Sequence, residues 1–222
     1  MAELDPDDHL SQVGHTVHGQ PIPEDHLLAL QAQMAAELQI GHSDRLLDLC
    51  CGNGIFTRPL SEQAEAALGV DFSSAMLSVA RRDFPGPNLR YEELDVSDIA
   101  SLSDRPEAPF SRVMMYGAWQ HFDLGVGQRI LEDVLSISSD DLRIVLGFVP
   151  DFDLKHNFFD TPERRAAHEA YVAAGTDAFG NWWKKDELVT IAGDLGLTCE
   201  FTDLPAKVHA ARYRFNATLV RG

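Results

Sequence analysis

Basic residues are scarce in this chain: 18 Lys and Arg stand against 35 Asp and Glu, a formal charge of −17 over 222 residues. Such a surface repels phosphate backbones and anionic lipid, which argues against DNA, RNA or a membrane surface as partner. A small phosphorylated molecule in a local basic pocket stays compatible with it. Apolar runs are short, and none approaches the roughly 20 residues needed to span a bilayer. The opening stretch MAELDPDDHLSQVGH has no basic start and no apolar core, so it does not read as a secretory signal, and a cytoplasmic protein is expected. Cysteine is limited to Cys50, Cys51 and Cys199, an odd number with two adjacent, which offers neither a disulfide framework nor a zinc spacing. Reduced core cysteines are expected. Asp151, Asp153 and His156 lack a clear further ligand, so no metal is expected.

What is present is an ordinary globular composition, 45% apolar and 24% charged, with length for one large α/β domain. Residues 1–41 read as an irregular arm and a helix carrying Leu27, Leu30, Met34 and Leu38 at helical spacing, with Gly41 as its stop. Over residues 42–150 apolar strands alternate with helices. The strands are Arg45–Leu49, Ala66–Val70, Leu89–Glu92, Arg112–Tyr116 and Leu142–Val149. That rhythm predicts a Rossmann-like, mostly parallel sheet with helices on both faces. Residues 151–185 break the rhythm with many aromatics and one helix near 163–174, and read as an insertion on the substrate side. Residues 186–222 supply a helix and two last strands of the same domain, completing seven.

The strongest motif runs Leu46-Leu47-Asp48-Leu49-Cys50-Cys51-Gly52-Asn53-Gly54: a buried strand, an acid inside it, then a turn of small residues opening a helix. A ligand approaching that backbone closely leaves no room for a Cβ, and a helix start offers free N–H groups. The third glycine of a dinucleotide fingerprint is missing, which disfavours a nicotinamide oxidoreductase. An acid in the strand suits a cationic amino-acid ligand better than a pyrophosphate. Asp71 follows about 20 residues later at a strand end, where a carboxylate can hold both ribose hydroxyls. Glu93-Leu94-Asp95-Val96 follows the third strand and Tyr116-Gly117-Ala118-Trp119-Gln120-His121-Phe122 the fourth.

These segments resemble the class I S-adenosylmethionine-dependent methyltransferases, closely from about residue 45 to 122 and more loosely to the C-terminus. Cys50 departs from the glycine usual at its position. The resemblance implies S-adenosylmethionine as cofactor, held by Asp48, Cys50, Gly52, Gly54, Asp71, Phe72, Met76, Asp95, Val96 and the Tyr116 carbonyl. Asp71 would take the ribose, Phe72 and Met76 would flank the adenine, and Asp95 would accept from its amine. Trp119 and Gln120 would face the acceptor, joined by Trp182 and Phe158 of the aromatic insertion. His121 is the first candidate for a general base, because its position depends on the scaffold; His15, His18, His156, His168 and His209 are others. Residues 12–22 resemble an N-terminal arm of some small-molecule methyltransferases that folds over the cofactor. The expected activity is methyl transfer to oxygen or nitrogen of a small molecule such as a sugar or secondary metabolite, by a monomer or homodimer. A protein or peptide acceptor, or a non-catalytic cofactor-binding subunit, is the alternative.

Overall fold

The computed structural model describes residues 7–175 and 179–221; the first six residues of the expected arm and 176–178 of the expected insertion lie outside them. The described chain opens with a short helix α1 (His9–Gln12) and a two-stranded hairpin, β1 (Thr16–Val17) and β2 (Gln20–Pro21), where an irregular arm was expected. Helix α2 (Glu24–Leu38) follows, then β3 (Arg45–Leu49), α3 (Thr57–Ser61), β4 (Ala66–Asp71), α4 (Ser74–Asp83) and β5 (Leu89–Glu93). A 3₁₀ segment Val96–Asp104 leads to β6 (Phe110–Tyr116), α5 (Leu124–Ser136) and β7 (Ser138–Pro150). The region after β7 holds α6 (Lys155–Phe158) and α7 (Pro162–Ala173), and α8 (Lys185–Asp194), β8 (Leu197–Asp203) and β9 (Arg214–Arg221) complete the chain. Among the described residues no helix is long and apolar enough to cross a membrane.

Seven strands form one sheet in the order β5-β4-β3-β6-β7-β9-β8, parallel except for β9, which runs antiparallel to both its neighbours. The order follows from burial. In β3 the residues Leu46, Leu47, Asp48 and Leu49 are all buried, as a central strand covered on both faces requires. The chain winds from β3 toward β5, then returns to place β6 on the other side of β3. That reversal opens a crevice at the carboxyl ends of β3 and β6, the usual ligand position in open α/β sheets.

Helix starts follow the expected chemistry. Ser73 caps α4, its Oγ accepting from Met76 N at 3.3 Å, and Asp123 caps α5, its Oδ1 accepting from Val126 N at 2.8 Å. The helix expected directly after the glycine turn is shorter and begins at Thr57. Strand β7 is longer than its apolar run because Ser138–Asp141 extend it on the exposed side. Its far end carries an irregularity in its pairing with β9, where Phe148 sits at φ +62° and donates its N–H to Asn216 Oδ1 at 2.8 Å. Helix α7 lies where one helix was expected and buries none of its side chains.

Trp119 is a correction. Expected to face the acceptor, it is fully buried, its ring 5.4 Å from that of Trp183 and packed on Gly127 of α5. A ring of this size removes more apolar area from water in the core than at a cavity rim. Gly127 makes room for it: a Cβ there would stand 2.8 Å from Trp119 Cζ2. Alanine inside a helix ordinarily gains about 1 kcal/mol over glycine. Here Gly127→Ala is expected to lose about 1–3 kcal/mol through overpacking, read as a lower urea midpoint at unchanged slope. A stabilised variant would show that Trp119 has another seat.

Candidate functional site

The turn after β3 is built on positive φ: Cys50 at +57°, Gly52 at +54° and Gly54 at +81°. Gly52 and Gly54 were expected to leave room for a ligand. Their own neighbours are the tighter constraint, because a Cβ on Gly54 would run into the Tyr91 ring and one on Gly52 would lie 3.1 Å from Val13 Cγ1. Cys50 occupies the left-handed region without being glycine, an arrangement that costs on the order of 1 kcal/mol. Asp71, at the end of β4, closes the turn. Its Oδ2 accepts from Gly52 N at 2.9 Å and its Oδ1 from Ser73 N at 2.8 Å. Each carboxylate oxygen keeps lone pairs free for a further donor.

Asn53, which the motif reading passed over, is completely buried and ties the arm to this turn. Its Nδ2 donates to the His9 carbonyl at 2.8 Å and to Gln12 Oε1 at 3.0 Å. The only sequence signal was an amide between two glycines. With the arm so held, Val13 and His15 roof a cavity of about 560 Å³ over the carboxyl ends of β3, β4 and β6. That size is typical of small-molecule sites.

Asp48, Cys50, Asp71, Phe72, Asp95, Val96, Tyr116 and His121 all line this cavity, brought together from four separate stretches of chain. Gly52, Gly54 and Met76 do not: the glycines lie behind the turn, and Met76 is half-buried on the first turn of α4. Gln120 and Phe158 line a second cavity, of about 290 Å³, which shares His15 with the first. Trp182 stands outside both, stacked on Phe179 at 4.6 Å. Of the other histidines, His209 reaches the second cavity, whereas His156 and His168 line a separate surface cavity with Phe159.

The electrostatics differ around the rim. Asp48 is enclosed, and burial pushes its carboxyl up to about 8, with the nearby Asp71 charge adding to the rise. Thr57 Oγ1 donates to its Oδ2 at 2.6 Å and works against that rise. Asp95 is exposed and caps the following 3₁₀ segment; hydrogen bonds from Ser97 hold its carboxyl below the ordinary range. Burial and the surrounding acids push the Cys50 and Cys51 thiols far up, so neither is a thiolate nucleophile. His121 sits at the exposed rim, its pKa lowered by partial burial and by the charge of Arg214. His15 is 5% exposed, among the rings of Phe56, Tyr116 and Phe148, and burial carries it down to about 4.

The arrangement suits a ligand with a diol over Asp71, an apolar ring between Phe72 and Val96, and a cationic end toward Asp48. Residues 46–139 match the family model described as a methyltransferase domain. An uncharacterized methyltransferase of Schizosaccharomyces pombe is 35% identical over 80 residues, 33% of this chain and 29% of that protein. The 23S rRNA (uracil(1939)-C(5))-methyltransferase RlmD of Histophilus somni is 28% identical over 81 residues, 35% of this chain. The match spans only 18% of that protein. Among solved structures, the magnesium protoporphyrin IX methyltransferase of Synechocystis PCC 6803 with bound SAH superposes with a TM-score of 0.61 at 15% identity, over 89% of this chain and 83% of that one. This last likeness is one of fold. Family match and sheet order agree: residues 46–139 carry a methyltransferase domain, within a fold shared with a methyltransferase that binds SAH.

Proposed function

We propose that the protein transfers the methyl group of S-adenosylmethionine to an oxygen or nitrogen of a small organic molecule. The observation that carries this reading is the pair of adjoining cavities beneath the arm, one lined by Asp48, Asp71 and Asp95 and the other smaller, with Phe148, Phe158, Phe179 and Tyr213 in its wall, the two sharing His15. A chamber of about 290 Å³ suits a compact acceptor. The charge of −17 weighs against RNA, and the likeness to the rRNA enzyme is confined to under a fifth of that protein.

In this reading Asp71 binds the ribose hydroxyls, Phe72 and Val96 enclose the adenine, and Asp95 accepts from its amine. Asp48 faces the amino-acid end, and the Tyr116 carbonyl lies beside it. When bound, the cofactor supplies a methyl group on a cationic sulfur, already a good leaving group, so the protein's main task is alignment. An oxygen acceptor must also lose a proton as its bond to carbon forms. His121, which lines the cavity and has its pKa lowered, would receive it. The decisive screen incubates the protein with labelled cofactor and pools of metabolites, RNA and protein. Label in RNA or protein alone would overturn the small-molecule reading.

Asp71→Ala is expected to weaken S-adenosylhomocysteine binding about a hundredfold, the scale of two lost charge-assisted hydrogen bonds. Unchanged affinity in calorimetry would confine Asp71 to holding Gly52 and Ser73. Asp48 has its folded pKa raised, so the stability of its buried neutral form is whole below about pH 4 and is lost as pH rises through about 8. Asp48→Asn removes that loss while keeping an acceptor for Thr57. At pH 8 the ligand-free variant is expected to melt about 2–4 °C higher, the usual yield of ~1 kcal/mol at this size, and to bind S-adenosylhomocysteine at least about tenfold more weakly. His121→Ala is expected to leave cofactor affinity within a few-fold and to lower turnover about 10²-fold. The wild-type rate should rise with pH as His121 deprotonates, with its midpoint below the ordinary histidine range, because its pKa is lowered. A flat profile with undiminished turnover would leave alignment alone, and an amine acceptor, as the explanation.

A further inference from the structure

A guanidinium removed from water needs an anion or dense hydrogen bonding to compensate its charge. Arg214, the first residue of β9, is 7% exposed. Its Nη1 donates to Gln120 Oε1 at 2.8 Å and to the Phe148 carbonyl. Its planar head lies over the rings of Phe148 and Phe179, 4.4 and 5.2 Å from their centroids. The hydrogen bonds use one nitrogen. Among the described residues no carboxylate pairs with Arg214, and its Nε and Nη2 make no hydrogen bond. Burial lowers its pKa only to about 10, so the charge remains at neutral pH.

The surroundings make the missing partner conspicuous. Arg214 lines the 290 Å³ cavity with His15, Gln120, Phe158, His209 and Tyr213, and among the described residues no Asp or Glu contributes to that wall. In a chain with 35 acids against 18 bases, a cavity whose wall carries, among the described residues, one arginine and no acid favours anions. The Nε and Nη2 edge of a guanidinium is a fork that matches two oxygens of one oxyanion. The bulge that turns Phe148 out of register, fixed by Asn216, positions the ring and carbonyl that hold the other side of the head.

We propose that the methyl acceptor carries a compact oxyanion, a carboxylate or a phosphate, that docks on the free edge of Arg214, with its aromatic or aliphatic body along Phe158 and Tyr213. This inference rests on the methyltransferase reading. The anion anchors the acceptor in the inner chamber, and its nucleophile points past His15 toward the cofactor cavity. A neutral analogue would leave the arginine buried and unpaired, which gives the site a strong basis for rejecting it.

The test uses the full chain saturated with S-adenosylhomocysteine and three phenyl probes: benzoate, its neutral isostere benzamide, and phenyl phosphate. Calorimetry is expected to find at least one anion bound about tenfold or more tightly than benzamide. Arg214→Gln is expected to abolish that preference while S-adenosylhomocysteine affinity stays within threefold. Should Arg214→Gln not fold, the Arg214 Nε–H resonance of the wild-type protein provides the readout, with a shift expected on adding the anion and none on adding benzamide. Preference for benzoate supports a carboxylic acid acceptor, and preference for phenyl phosphate supports a phosphorylated one. Equal binding of anions and benzamide, or a preference that survives Arg214→Gln, overturns the proposal while leaving the methyltransferase reading standing. Failure of S-adenosylhomocysteine itself to bind would remove both.

Discussion

The hydrogen bond from Gly52 N–H to Asp71 Oδ2 joins the turn after β3 to the end of β4, and the rest of the site is arranged around it. It spans 19 residues and is buried, so breaking it would leave a donor and an acceptor unpaired away from water. Because Asp71 is held there and by Ser73, its carboxylate points into the cavity with a fixed orientation. Because the turn is held there, Asn53 stands between its glycines where it can receive the arm. The arm in turn carries His15 over Phe56 and Tyr116, and His15 divides the cofactor cavity from the inner chamber.

The two chambers carry opposite electrostatics in a strongly acidic molecule. The outer one gathers Asp48, Asp71 and Asp95, each in a different state: enclosed and raised, fixed by backbone donors, and exposed and lowered. The inner one has Arg214 and, among the described residues, no carboxylate. Charges of opposite sign on either side of His15 suit the joining of a cationic cofactor to an anionic acceptor. Both histidines near the junction are held toward the neutral form, His15 chiefly by deep burial and His121 by shallower burial, with Arg214 contributing to each.

Local pattern carried the core of the molecule. The buried run Arg45–Leu49, the small-residue turn, the acids at successive strand ends and the helix caps at Ser73 and Asp123 are features of nearest neighbours in sequence, where propensity and spacing act directly. They were sufficient for the mostly parallel sheet and for the segments that meet at the cavity. Trp119 was misassigned because burial depends on what lies across the sheet: only the fold supplies Gly127 and Trp183 as its seat. Arg214 and Asn53 were invisible for the same reason. An arginine opening a strand reads as a surface residue, and its isolation from every acid among the described residues depends on β9 inserting antiparallel between β7 and β8.

The sequence by itself determined the strand and helix rhythm and the acids at successive strand ends, because those rest on short-range periodicity and on turn chemistry; the cofactor class came from the resemblance that these motifs carry. Tertiary structure alone decided which rings face a ligand and which fill the core, how the arm is fastened, and where an uncompensated positive charge ends up. Those outcomes depend on contacts between residues far apart in the chain, such as Gln120 with Arg214 and His9 with Asn53, whose proximity no local pattern encodes.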